Sequence, residues 1–147
     1  MSTLLLNTLT GKTSAGSIVV TGEGGSTTTN MQQGLVKTWI AYGDTASSGN
    51  PAVYDSFNHG SITDNGTGDT SYAYTNNMAT AKGYTVSGSF AHSSDITNYV
   101  YSAQPKEDDS VATSSCRIVQ LYANSGAEGI GDYDYVCSSM AGDLAEW

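Results

Sequence analysis

The chain has 147 residues, enough for one domain or for one domain with an arm. Five Lys plus Arg against fourteen Asp plus Glu leave a net charge of -9, which opposes nucleic acid and anionic membrane surfaces as partners. No apolar run approaches the ~20 residues of a membrane helix, and the start, with Leu4, Leu5 and Leu6 after Met1-Ser2-Thr3, lacks the basic region and long apolar stretch of an export signal.

In chain order, Leu4-Leu5-Leu6 and residues 17–20 are short strand-like runs separated by a turn-rich connection at 10–16. Residues 21–30 contain no apolar side chain and read as a flexible Gly/Ser/Thr-rich linker. The expected division is therefore an N-terminal arm and linker at 1–33, and a folded body at 34–147. The body opens on an alternating strand, with Leu35, Lys37, Trp39 and Ala41 on one face and Val36, Thr38, Ile40 and Tyr42 on the other.

Turn residues then recur at short intervals, and strands are expected at 52–57, 61–63, 71–75, 84–91, 98–103, 115–123 and 133–138. A single helical turn is expected at 77–82. Asp64-Asn65-Gly66 is a hairpin-turn signal, because Asn and Gly tolerate positive φ. Asn65-Gly66-Thr67 also fits a glycosylation acceptor, but the turn is the preferred reading.

Composition sets the class. Ser, Thr, Gly and Asn number 20, 18, 17 and 9, while Glu, Lys and Arg together number nine. Surface-helix formers are scarce, and Thr, Tyr and Val, which suit a pleated surface, are common. Ten Tyr, two Trp and recurrent Val, Ile and Leu supply apolar area that disordered chains lack. The expected fold is all-β: an antiparallel β-sandwich or jelly-roll-like domain preceded by a short N-terminal β-arm. Trp39, Tyr42 and Phe57 are the expected core residues, with an interface role as the other reading of the same three.

The two cysteines bear on one pairing. A hairpin centred near Gly126-Ala127 sets Cys116 opposite Cys137, Ile118 opposite Tyr135 and Gln120 opposite Tyr133, with Arg117 diagonal to Asp134. That register permits a Cys116–Cys137 disulfide; two ordinary buried thiols are the preferred alternative. There is no CxxC pair for structural zinc. His59 and His92 read as exposed loop residues, and no G-x-S-x-G elbow accompanies them.

Calcium has three weak candidate groups: Asp64 with Asp69, the run Glu107-Asp108-Asp109, and Asp132 with Asp134. Each offers fewer oxygens than a hard cation wants, so solvated acidic loops are preferred and no cofactor is expected. Residues 107–147 carry eight acids and one Arg, so the acidic charge concentrates in the C-terminal third. No phosphate-binding loop or specific carboxylate pair supports an enzyme.

One series of motifs stands above composition. Lys37-Thr38-Trp39-Ile40 is followed by Ser56-Phe57-Asn58, then by Ser61-Ile62-Thr63-Asp64-Asn65-Gly66-Thr67-Gly68-Asp69, then by the alternating Ser71-Tyr72-Ala73-Tyr74-Thr75. This order resembles a module of bacteriophage virion proteins, especially tail-fibre-like and other structural proteins of marine phages. The start Ser2-Thr3-Leu4-Leu5-Leu6-Asn7-Thr8-Leu9 is similar to the opening of such proteins. The resemblance covers about residues 1–10 and 34–90, and residues 91–147 match no motif.

It implies a non-enzymatic, β-rich virion structural protein on the particle surface, either a tail fibre or spike or a capsid decoration protein. Its expected location is the virion, assembled in the host cytoplasm. Expected partners are copies of itself, with a trimer favoured, and other capsid or tail proteins. Leu4, Leu5, Leu6, Ile18 and Val19 form the expected assembly arm, adding a strand to a neighbour's sheet. The alternative is a carbohydrate-binding module for host surface glycans. Its candidate platforms are Tyr99 with Tyr101 on one strand face and Tyr133 with Tyr135 on another.

Overall fold

The computed structural model describes residues 4–11, 18–21, 25, 27–45, 49–91, 99–106, 110–124 and 126–145. The protein is all-β, with antiparallel sheets throughout. β1 (Val19–Thr21) pairs with β2 (Thr28–Asn30), and a single helical turn, α1 (Met31–Gly34), leads into the body. The body strands are β3 (Val36–Gly43), β4 (Ala52–Phe57), β5 (His59–Asp64), β6 (Asp69–Tyr74), β7 (Tyr84–Ala91), β8 (Val100–Pro105), β9 (Ser115–Asn124), β10 (Ala127–Ile130) and β11 (Tyr135–Gly142). No described helix is long and apolar enough to cross a membrane.

Two sheets pack face to face. One has the order β4-β3-β11-β7. The other is organised around β9: β8 runs along one edge, while β6 and β10 lie end to end along the other, with β5 outside β6. Alternation explains which faces meet. Ile40 and Tyr42 of β3 and Val136 and Met140 of β11 point inward from the first sheet; Tyr72, Tyr74, Cys116 and Ile118 point inward from the second. Of the three expected core residues, only Tyr42 is inside. Phe57 is exposed and Trp39 half-buried, because both occupy the outward phase of their strands.

Backbone geometry sets the junctions. Gly68 (φ +62) closes the β5–β6 turn where β10 ends, and a Cβ there would lie 2.7 Å from the Gly131 amide. The Gln120 amide donates to the Gly68 carbonyl at 2.8 Å, and the Gly131 amide to the Gln120 carbonyl at 3.3 Å, so β6 and β10 read as one interrupted strand. The Asp64-Asn65-Gly66 turn forms as expected: the Asp64 carboxylate accepts from the Gly66 amide at 2.7 Å. At Gly88 of β7 a Cβ would sit 2.9 Å from that of Ala103 on β8, and this close approach joins the two sheets at one corner.

The opposite corner turns on Asn58, between β4 of one sheet and β5 of the other. Its φ is +56, a left-handed conformation that Asn tolerates better than most residues. Its side chain accepts from the Asn76 amide at 2.7 Å and donates to the Asn76 carbonyl at 3.0 Å. Thr38 braces the same point through the Phe57 carbonyl at 3.0 Å.

Four sequence expectations need correction. The 115–123 and 133–138 strands do not form a hairpin. β9 instead pairs with β10 in the register Ala127↔Asn124 to Ile130↔Leu121, and β11 joins the other sheet between β3 and β7. The turn at Gly126 makes a short hairpin because residues 131–134 cross between sheets, with the Tyr133 carbonyl accepting from the Asp44 amide at 2.7 Å.

Residues 77–82 form no helix; Met78 bridges Leu144, and its amide donates to the Thr113 carbonyl. The expected linker contains β2, held to β1 by its backbone. Leu4-Leu5-Leu6 makes no ladder, and the arm's only strand among the described residues is β1.

Replacing Asn58 by Ala removes both Asn76 bonds and puts a poorly tolerated residue at positive φ, so it should cost about 2 kcal/mol in urea unfolding. Asn58→Gly, which keeps the backbone freedom, should cost about half as much. Equal costs for the two would show that φ contributes nothing there.

Candidate functional site

Two exposed features stand apart from the packed interior. The first is the arm. Leu4 and Leu5 are 80% and 88% exposed, and Leu6 and Leu9 are also open to solvent. Val19 and Val20 of β1 are exposed, Ile18 is half-buried, and the β1–β2 ladder belongs to neither body sheet. The Met31 amide extends the β1–β2 pairing by one step, donating to the Ile18 carbonyl at 2.9 Å. Apolar side chains on backbone without a ladder partner are suited to adding to a neighbour's sheet.

The second is the outward face of the β4-β3-β11-β7 sheet. Register places Trp39, Ser139 and Ser87 in one row, with Phe57 beyond Trp39. The next row is Asp55, Ala41 and Cys137. A bulge between Ala41 and Tyr42 leaves Tyr54 as the extra residue of β4. Its ring stacks on Tyr135 at 6.4 Å with planes 10° apart, and its hydroxyl donates to the Asp134 carbonyl at 2.8 Å. Between Trp39 and Tyr135 runs an open trough of about 330 Å³, floored by Ala41, Cys137, Ser139 and Ser87.

The predicted tyrosine platforms are rearranged. Tyr99 and Tyr101 do stack, at 5.7 Å and 21°, but Tyr122 meets Tyr99 edge-on at 6.0 Å and Tyr133 meets Tyr101 edge-on at 5.2 Å. These four rings form one cluster at an end of the interior, in which Tyr133 is buried. Tyr133 and Tyr135 thus share no platform, because the chain changes sheets just ahead of β11. Tyr54, which flanks the trough, is absent from the sequence-based candidates, and Trp39, which lines it, was expected in the core or at an interface. The alternation of the Trp39 strand was visible in the sequence; the bulge that re-aims Tyr54 was not.

Comparison of the chain with protein-family models, curated proteins and solved structures finds no match.

Neither cysteine is in a disulfide. Cys116 lies inside against the second sheet's core, and Cys137 lies on the outward phase of the first, so no disulfide joins them. Burial pushes the Cys116 thiol up to about 12, which keeps it protonated and unreactive.

Of the calcium candidates, Asp64, Asp69 and Asp132 have other partners. Asp132 accepts from the Gly68 amide at 2.6 Å, and Asp64 holds its turn. Asp69 takes the Arg117 Nε and Nη2 at 2.6 and 2.7 Å and the Lys106 Nζ at 2.6 Å. Arg117 therefore meets Asp69 rather than Asp134, since β9 pairs with β6. Among the described residues no group of three or more His, Cys, Asp or Glu is placed to hold a metal; Glu107-Asp108-Asp109 and His92 lie outside the described residues.

His59, expected in an exposed turn, instead opens β5 half-buried, 6.4 Å from the Tyr72 ring. Burial lowers its pKa.

Inside, Thr70 and Gln120 both donate to the Asp44 carboxylate, Thr70 at 2.9 Å. Burial raises the Asp44 pKa against these bonds, so its carboxylate contributes least to stability once ionised. Asp69 behaves in the opposite way. The Arg117 guanidinium, helped by Lys106, holds it down to about 2.

A depressed folded pKa gives stability that is present above the ordinary carboxylate range and lost as pH falls through about 2. Because Arg117 and Lys106 are each over a third exposed and screened, we expect only ~1 kcal/mol to be lost by this route. Unfolding measured from pH 5 to pH 2 should show a shallower loss for Asp69→Asn than for the native chain. Parallel curves would remove this role.

Proposed function

We propose that the protein is a non-enzymatic structural protein of a bacteriophage particle, displayed on its surface as a spike, fibre unit or shell decoration. The observation that carries the reading is the exposed leucine arm ahead of an all-β body. The residues that resemble the virion module support it: Lys37 to Ile40 lie on β3, Ser56 to Asn58 turn the corner between sheets, and Ser61 to Asp69 run from β5 through its hairpin turn. Asp64 and Asp132 accept from turn amides, Asp69 from Arg117 and Lys106, and Asp44 from Thr70 and Gln120, a pattern that serves rigidity.

Magnitudes favour assembly through several arms. Four leucines, Leu4, Leu5, Leu6 and Leu9, contribute about 8 kcal/mol if fully buried, at roughly 2 kcal/mol each. Bringing two bodies together costs about 4–15 kcal/mol, so a single arm barely balances association. A closed ring in which each copy both gives and receives an arm makes one more arm contact than the associations it pays for, and a homotrimer is the state we propose. Other capsid or tail proteins are the further partners.

Light scattering on the purified full chain should give a trimer mass, unchanged by EDTA. Leu4→Ser, Leu5→Ser and Leu6→Ser combined should lower the mass to a monomer that keeps the native far-UV circular dichroism, with a Tm that no longer depends on protein concentration. Mass spectrometry of purified particles should find the chain. A monomer indifferent to the triple substitution, together with absence from particles, would sink the reading.

A further inference from the structure

We propose that the outward trough of the β4-β3-β11-β7 sheet is a binding site for a neutral oligosaccharide of pyranose sugars. The proposal is independent of the particle reading and concerns a surface away from the arm.

The solvent face of a sheet is ordinarily covered by long polar or β-branched side chains that shield the ladder. Here the central positions of that face are Ala41, Cys137, Ser139 and Ser87, and the trough they leave is open along the sheet. Its two ends are aromatic. Trp39 stands opposite Ser139, and Tyr135 precedes Ser139 on the same strand by four residues, about 13 Å of extended backbone. That spacing accommodates a short run of linked pyranoses, with one sugar against each ring.

One of the two rings is held ready. Tyr135 is backed by the nearly parallel Tyr54 ring, whose own hydroxyl is tied to the Asp134 carbonyl. An aromatic platform fixed before the ligand arrives loses little entropy on binding. The apolar faces of pyranose rings suit such platforms, while their hydroxyls need partners below. Ser139 and Ser87 supply hydroxyls in the floor, and Asp55 lies in the Ala41 row at the β4 side.

The same composition argues against other ligands. No Lys or Arg lines the trough, and the chain carries a net charge of -9, so a phosphorylated or sulfated ligand is repelled. An apolar peptide or a second copy would cover the serine hydroxyls without satisfying them.

Affinity electrophoresis of the full chain through gels containing soluble β-glucan, mannan, galactan or dextran tests the site, with calorimetry on oligosaccharides of whichever polymer retards it. Retardation is expected in at least one neutral polymer and not in heparin. Trp39→Ala and Tyr135→Ala should each weaken binding about tenfold, as for ring anchors at other interfaces. Ser139→Leu, which fills the floor and leaves both rings, should abolish it, and Trp39→Phe should retain part of it if the loss in Trp39→Ala is local.

Tyr99→Ala, in the separate tyrosine cluster, should bind as the native chain does. No retardation by any neutral polymer, retardation by heparin alone, or loss in Tyr99→Ala with full binding in Trp39→Ala would overturn the assignment. Because the oligomer mass is read separately, failure here leaves the particle reading untouched.

Discussion

The Tyr72 hydroxyl and the Ser138 hydroxyl meet 2.6 Å apart in the middle of the molecule, one from each sheet. The rest of the fold depends on contacts of this kind, because the interior is built largely from tyrosines. Tyr42, Tyr72, Tyr74 and Tyr133 supply much of the apolar area that a chain rich in Ser, Thr and Gly otherwise lacks. Each ring brings a hydroxyl with it, and an unpaired buried hydroxyl costs about 1–3 kcal/mol. Tyr74 meets Tyr84 at 3.0 Å and the Met140 sulfur at 2.8 Å, and Tyr84 passes on to the Ala112 carbonyl at 2.8 Å. Satisfying the Tyr72, Tyr74 and Tyr84 hydroxyls fixes how one sheet sits on the other, since a hydrogen bond specifies position where apolar packing tolerates a slide.

The inner face of the first sheet takes Ile40, Tyr42, Val136 and Met140, and its outward face keeps Trp39, Phe57, Tyr54 and Tyr135. The outward side of β3 and β11 is left with Ala, Cys and Ser between rings, which opens the trough. The outward side of β6 and β9 is closed by the Asp69–Arg117–Lys106 group, whose charges are paired with each other. The arm stays outside both sheets with its leucines uncovered. A body whose corners are set by Asn58 and Gly88, and whose centre is pinned by hydroxyls, offers these surfaces on a rigid support.

Much of the secondary structure was legible in the sequence. The alternation from Val36 to Tyr42 gave the strand and its two faces, and Asp64-Asn65-Gly66 gave the hairpin turn through local backbone chemistry. The candidate site was less legible. Tyr99 and Tyr101 do stack, yet their place beside Tyr122 and Tyr133 follows from β8 pairing with β9, which no local pattern encodes. Trp39 looked like core because large aromatics usually are. Only the packing of this sheet against Tyr72, Tyr74, Cys116 and Ile118 of the other decided that the Ile40 phase faces in.

Taken by itself, the sequence determined that this chain makes short antiparallel strands and tight turns, because strand period, turn residues and β-suited composition act over a few neighbouring residues. It also determined the acidic charge and the apolar arm. Tertiary structure alone decided which sheet each strand joins. β9 and β11 lie near each other in the chain, yet they part into opposite sheets. The Tyr72–Ser138 contact and the Asp44–Thr70–Gln120 group form only in that arrangement, and they link residues 26 to 76 positions apart. Pairing at such separations is settled by the faces that must be buried together, which no local window of sequence contains.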